Sequence, residues 1–259
     1  MQGIGLYDSG LGGLTVLREA KRCFPNEKFI YFADEAHLPY GTKSLDQIRT
    51  YAQEAGRHFQ KAGVKALVVA CNTATGAALD LLQKQMPCPV LGVIEPGAKA
   101  AHQASKNKKY ALLATQSTID RGLYQAYLKN LDPQGQVYGL ACPQLVLAVE
   151  DGLADHYIGQ KIVREYLDQL PVDYDTLILG CTHFPLARKA MEDYFKEKNR
   201  QVQIIDPAIQ TCRDLADLVK MEEGKTGKIT YYTSGDKRLF REKLERLFGE
   251  KVHVAGWDS

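Results

Sequence analysis

Apolar residues fall along this chain in short continuous runs, separated by longer stretches in which apolar and polar positions alternate at helical spacing. The runs cover residues 4–7, 29–32, 66–70, 90–94, 110–114, 137–141, 176–179, 202–205 and 229–232. They are rich in β-branched and aromatic residues and nearly free of charge. Such runs fit strands buried on both faces of a parallel sheet. The intervening stretches, of which 44–61 is the longest and 158–170 another, predict helices. Strand and helix alternate almost throughout, which predicts an α/β, doubly wound architecture. The last charged stretch, 236–251, carries Phe240, Leu244, Leu247 and Phe248 at helical spacing. It predicts an amphipathic helix packed on a sheet.

Two of the segments echo each other. Leu67-Val68-Val69-Ala70-Cys71-Asn72-Thr73 and Leu177-Ile178-Leu179-Gly180-Cys181-Thr182-His183 both run from an apolar strand through a small residue to a cysteine, then to polar residues that open a helical pattern. Aligning the two cysteines brings the run at 4–7 near that at 110–114. Asp8-Ser9 then falls close to Thr115 and Thr118. The repeat predicts two pseudo-symmetric, mostly parallel-sheet domains with the active site in the cleft between them. One is expected to hold residues 1–94 with 209–259, the other residues 95–208.

Composition narrows the function classes. The chain has 259 residues, a net charge of +2 and no clustered basic face, so no nucleic-acid partner is expected. No apolar run approaches the ~18 residues of a membrane span, and Met1–Asp8 lacks a basic-then-apolar leader pattern. The expected compartment is the cytoplasm, with no membrane partner. Six cysteines occur without a C-x-x-C pair, so neither a disulfide framework nor a metal site is expected.

Ligands of open parallel sheets bind beyond the carboxyl ends of the strands. The groups found there are Asp8-Ser9, Cys71-Asn72-Thr73, Thr115 with Thr118, and Cys181-Thr182-His183. Gly10, Gly12 and Gly13 follow Asp8, but their G-x-G-G spacing lacks the dinucleotide fingerprint and reads better as a tight strand-to-helix turn. A thiol at a helix N-terminus is expected to ionise below its free pKa of ~8.5. Asn72, Thr73 and Thr182 are candidate helix caps and ligand hydrogen-bonders. His183 is a candidate acid/base beside Cys181. Asp8 follows a strand directly and is a stronger candidate than Glu150, which would not stand out by itself. Two opposed thiols suit proton removal on one face of a carbon and proton delivery to the other.

Taken in order, Tyr7-Asp8-Ser9-Gly10-Leu11-Gly12-Gly13-Leu14-Thr15-Val16, Pro39-Tyr40-Gly41, Ala70-Cys71-Asn72-Thr73-Ala74, Gly92-Val93-Ile94-Glu95-Pro96 and Leu179-Gly180-Cys181-Thr182-His183-Phe184-Pro185-Leu186 resemble the glutamate racemases. The resemblance spans residues 3–219. It implies cofactor-independent interconversion of L- and D-glutamate, with D-glutamate supplied to peptidoglycan. Carried over, Cys71 would deprotonate D-glutamate and Cys181 L-glutamate, assisted by Asp8, His183 and Glu150. Substrate contacts would come from Asp8, Ser9, Pro39, Tyr40, Gly41, Cys71, Asn72, Thr73, Thr115, Thr118, Cys181, Thr182 and His183. The resemblance also implies a homodimer. One departure is His37, where many members carry Arg. Three other readings compete: a racemase of a related acid such as aspartate, a non-catalytic amino-acid-binding protein, and a nucleotide-binding oxidoreductase.

Overall fold

The computed structural model describes residues 3–221, 227–249 and 252–257. Its strands are β1 (Ile4–Asp8), β2 (Phe29–Ala33), β3 (Ala66–Val69), β4 (Val90–Gly92), β5 (Lys109–Ala114), β6 (Gln136–Ala141), β7 (Thr176–Gly180), β8 (Gln203–Ile205), β9 (Ile229–Thr233) and β10 (Val254–Gly256). The first helices are α1 (Leu14–Cys23), α2 (Leu45–Ala62), α3 (Asn72–Gln85), α4 (Ile94–Ala104), α5 (Gln116–Arg121) and α6 (Leu123–Leu131). They are followed by α7 (Pro143–Glu150), α8 (Tyr157–Leu167), α9 (Arg188–Glu197), α10 (Pro207–Leu218) and α11 (Lys237–Phe248).

Two parallel sheets form. One has the order β10-β9-β2-β1-β3-β4, the other β6-β5-β7-β8. The segment β2-β1-β3-β4 and the whole second sheet share one connectivity, so β1 corresponds to β5 and β3 to β7. This is the topological content of the repeat around the two cysteines.

Side chains alternate across each sheet, so each sheet has a helical layer on both faces. Leu6 and Val68 join Leu14, Leu17, Leu215, Phe240 and Leu244 on one face of the first sheet. Tyr7, Leu67 and Val69 join Ile48, Phe59, Ala78 and Leu82 on the other. In the second sheet, Leu177 and Leu179 pack with Val149, Val163 and Phe195, while Leu112 and Ile178 pack with Ala98 and Leu128. The central strands β1, β3 and β7 are buried throughout, whereas the edge strand β6 is half-exposed.

Two elements differ from the sequence expectation. The run at 90–94 yields only three strand residues, because Val93 turns into the helical region and α4 starts at Ile94. Pro96 lies in its first turn, where the missing N–H costs no helix bond. The short β10 extends the edge of the first sheet beside β9. Helix α11 follows the expected amphipathic pattern, with Phe240 and Leu244 buried; the side chain of Leu247 lies outside the described residues. Among the described residues no helix is long and apolar enough to cross a membrane.

Candidate active site

The residues at the carboxyl ends of β1, β3, β5 and β7 converge on a cavity of about 190 Å³. Ser9, Pro39, Tyr40, Gly41, Cys71, Asn72, Thr73, Thr115, Cys181, Thr182 and His183 all line it. Asp8, Thr118 and Glu150 stand behind the lining and act on it through neighbours. An apolar wall from Leu38, Pro143, Val146 and Leu147 completes the cavity. A larger open groove of about 740 Å³ lies elsewhere, between α3, α4 and α10, and contains neither cysteine nor histidine.

Cys71 is the N-cap of α3, and its Sγ accepts a hydrogen bond from the Ala74 N–H at 3.5 Å. The thiol also donates to Ser9 Oγ at 3.6 Å. The expected acidification does not follow. Burial, then the Asp8 charge, push Cys71 up to about 12, outweighing the helix N–H and Ser9. Cys71 is therefore a protonated thiol in the free protein, and a strongly basic group once ionised.

Cys181 follows β7 directly, but no α-helix begins there. Residues 184–187 form a 3-10 turn, and α9 starts only at Arg188. Pro185 in that turn offers no N–H, which limits the dipole the thiol can feel. Histidine takes the place of the helix: His183 Nδ1 is 3.6 Å from Cys181 Sγ. Its Nε2 is 2.7 Å from Glu150 Oε1, and both side chains are buried. Burial opposes the imidazolium, but the hydrogen bonds to Cys181 and Glu150 prevail and hold His183 well above the usual histidine range. Burial likewise acts to raise Glu150; the His183 hydrogen bond and charge, with Lys243, override it and pull the carboxyl down to about 2.

Asp8 is fully buried at the end of β1. The Gly10 N–H donates to its Oδ1 at 2.9 Å and Thr182 Oγ1 to its Oδ2 at 3.1 Å. Burial raises its pKa to about 6, against the His183 charge and these donors. Thr182 thus spends its hydroxyl on Asp8 rather than on capping. The glycines explain themselves by close approach. A Cβ on Gly12 would stand 2.4 Å from Thr182 Oγ1 and 2.5 Å from His183 Nδ1, and one on Gly13 would stand 2.4 Å from the Asp8 Cβ.

Further contacts tie the two sheets together at the cavity. Asn72 accepts from the Tyr124 hydroxyl at 2.8 Å, and the hydroxyls of Thr73 and Thr115 are 2.9 Å apart. Thr115 caps α5 and its Oγ1 is 3.0 Å from that of Thr118. The wall at 38–41 rests on a buried chain. Tyr40 OH donates to Asp34 Oδ2, Ser234 Oγ donates to Asp34 Oδ1, and Tyr7 OH meets Tyr40 OH. His37 stacks on Tyr51 with ring centroids 3.7 Å apart and has its Nδ1 2.9 Å from Asp34. Sequence reasoning missed both Asp34 and Lys243. A signal existed for Asp34, since it directly follows β2 as Asp8 ends β1. None existed for Lys243, because nothing distinguishes it from the solvated lysines of α11.

Known proteins carry the same arrangement of sheets. Residues 14–215 match the Asp/Glu/Hydantoin racemase family model. A glutamate racemase of Aquifex aeolicus is 40% identical over 249 residues, covering 96% of this chain and 95% of that protein. The crystal structure of a glutamate racemase isoform from Bacillus anthracis superposes with a TM-score of 0.92 at 36% identity, over 99% of this chain and 97% of the other. A glutamate racemase of Francisella tularensis, crystallised in complex with D-glutamate, gives a TM-score of 0.90 at 30% identity, over 99% and 97% of the two chains. Sheet order, the paired strand ends and near-full-length similarity all agree: the chain belongs to the Asp/Glu/hydantoin racemase family and groups with its glutamate racemases.

Proposed function

We propose that this enzyme interconverts L- and D-glutamate without a cofactor, using Cys71 and Cys181 as alternating acid and base. One observation carries the reading. Two thiols from equivalent strand ends of two sheets line one small cavity, each with its own acid/base neighbour. The glutamate specificity is supported by the relatives at 36–40% identity. As the family resemblance implies, the D-glutamate formed is a cytoplasmic building block for peptidoglycan.

In the L-to-D direction Cys181, as the thiolate, takes the α-proton and becomes the neutral thiol beside the His183 imidazolium that Glu150 holds. Cys71, still protonated, delivers a proton to the opposite face. The reverse direction needs the Cys71 thiolate. Burial and Asp8 make that thiolate a strong base, which suits the weak acidity of an amino-acid α-proton. The cavity's hydroxyls and backbone N–H groups are available to the substrate carboxylates as their charge grows. Because one thiol must be ionised while the other is protonated, the pair titrates as a unit.

The expected pH dependence of kcat/KM is bell-shaped. The acid limb lies near pH 6, where Asp8 loses its proton, and the alkaline limb reports loss of the pair's remaining proton. Circular dichroism of L-glutamate solutions across pH measures it directly, with L-aspartate as comparison substrate. A profile without an acid limb contradicts the role of Asp8. Equal or faster turnover of aspartate overturns the substrate assignment.

A further inference from the structure

Cys181 belongs to a line of charges that does not end at Glu150. Lys243 Nζ donates to Glu150 Oε2 at 3.0 Å and to Glu35 Oε1 at 3.4 Å. Three residues on, one helical turn along α11, Arg246 Nη2 donates to the Glu150 backbone oxygen at 2.9 Å. Glu150 is the last residue of α7, so the cation also meets the negative end of that helix. Buried Phe240 and Leu244 fix the register of α11 on the first sheet. The Lys243 contact is therefore set by packing, while Arg246 makes its contact from an exposed position. Lys243 is half-buried, unlike the exposed lysine pairs of α9.

The geometry points to Lys243 as a positioning residue for the Cys181 side of the reaction: α11, carried by the first sheet, holds the Glu150 carboxylate of the second against His183. This rests on the racemase reading above. Cys181 itself faces Cys71, Cys142 and Tyr124, and Tyr31 feels both Glu35 and Glu150. Glu150 faces His183, Lys243 and Arg246; Lys243 also faces Glu35, near which Asp236 lies, and His183 also feels Asp8. Against that anionic majority, Lys243 supplies positive charge that favours a thiolate at Cys181. Removing it disfavours the thiolate. Removing the Glu35 charge frees Lys243 for Glu150 and does the opposite.

Peptide-resolved alkylation by iodoacetamide tests this without needing turnover, with the partly exposed Cys88, outside the cavity, as the internal reference in the same sample. Removing a unit charge from a partly buried network changes the reactivity of a thiol joined to it by roughly threefold to tenfold. The Cys181-to-Cys88 alkylation ratio at neutral pH is thus expected to fall about threefold to tenfold in Lys243→Met. It rises in Glu35→Gln and stays at the wild-type value in Lys243→Arg. In the racemisation assay, Lys243→Met lowers kcat/KM by one common factor in both directions, because the equilibrium constant between enantiomers is one. An unmoved ratio in both Lys243→Met and Glu35→Gln, or a Lys243→Arg variant that behaves like Lys243→Met, overturns the inference. If the wild type fails to racemise while the ratios shift as described, the reaction assignment fails and the role of Lys243 stands. If one variant does not fold, the other still decides the sign.

Discussion

Replacing either Cys71 or Cys181 with Ala is expected to reduce racemisation by about 10³-fold or more, at the upper end of what a positioned acid/base contributes. The two losses should be similar although the two thiols differ in setting. Each direction of the reaction uses one thiol as base and the other as acid, so neither is dispensable. The fold should survive. Each truncation removes a single sulfur from a cavity wall, which costs on the order of 1 kcal/mol. The discriminating readout is affinity beside turnover. Calorimetric binding of glutamate persists in both variants while the change in circular dichroism stops. A pure amino-acid-binding protein would have no turnover for the substitutions to remove. Turnover within tenfold of wild type in either variant would contradict the two-thiol scheme.

The second large effect couples stability to activity at Asp8. An ordinary aspartate titrates near 3.8, and burial raises Asp8 to about 6. The folded state therefore binds a proton more tightly than the unfolded chain between those values. Stability falls as pH rises through that window, and above it the buried carboxylate costs the difference, about 3 kcal/mol as an upper bound. Asp8→Asn keeps the acceptor for the Gly10 N–H and leaves a partner for Thr182. The variant should melt several degrees higher at neutral pH and lose that advantage as pH falls from about 6 to about 4. Its kcat/KM should drop about 100-fold, with the acid limb near pH 6 abolished. Such an exchange of stability for activity is common at functional sites. A variant that is both less stable at neutral pH and fully active would refute the electrostatic account of Asp8.

The fold is largely legible in the sequence because its strands are buried on both faces. Runs such as 66–70 and 177–179 carry no polar residue, so no other element competes for them. The repeat around Cys71 and Cys181 is legible for the same reason, and the shared connectivity β2-β1-β3-β4 and β6-β5-β7-β8 gives it physical meaning. The rule that ligands bind at strand ends points to Asp8, Cys71, Thr115 and Cys181 from residue order alone. It does not reveal that the thiols differ in setting. Cys71 receives a helix N–H yet is buried beside a carboxylate, while Cys181 has a short 3-10 turn and a histidine instead. Those differences depend on which side chains meet across the two sheets. Lys243 shows the same limit. Its partner Glu150 lies 93 residues away in sequence, and no local periodicity carries such a contact.

The most direct test of the two-thiol racemase is to incubate fully reduced protein with L-glutamate in D2O, without added cofactor, and follow the α-carbon by NMR and the solution by circular dichroism. Deuterium is expected at the α-position in step with decay of optical activity to the racemic mixture. Folded, reduced protein that gives neither signal would contradict the two-thiol mechanism and leave the paired cysteines as the wall of a binding cavity.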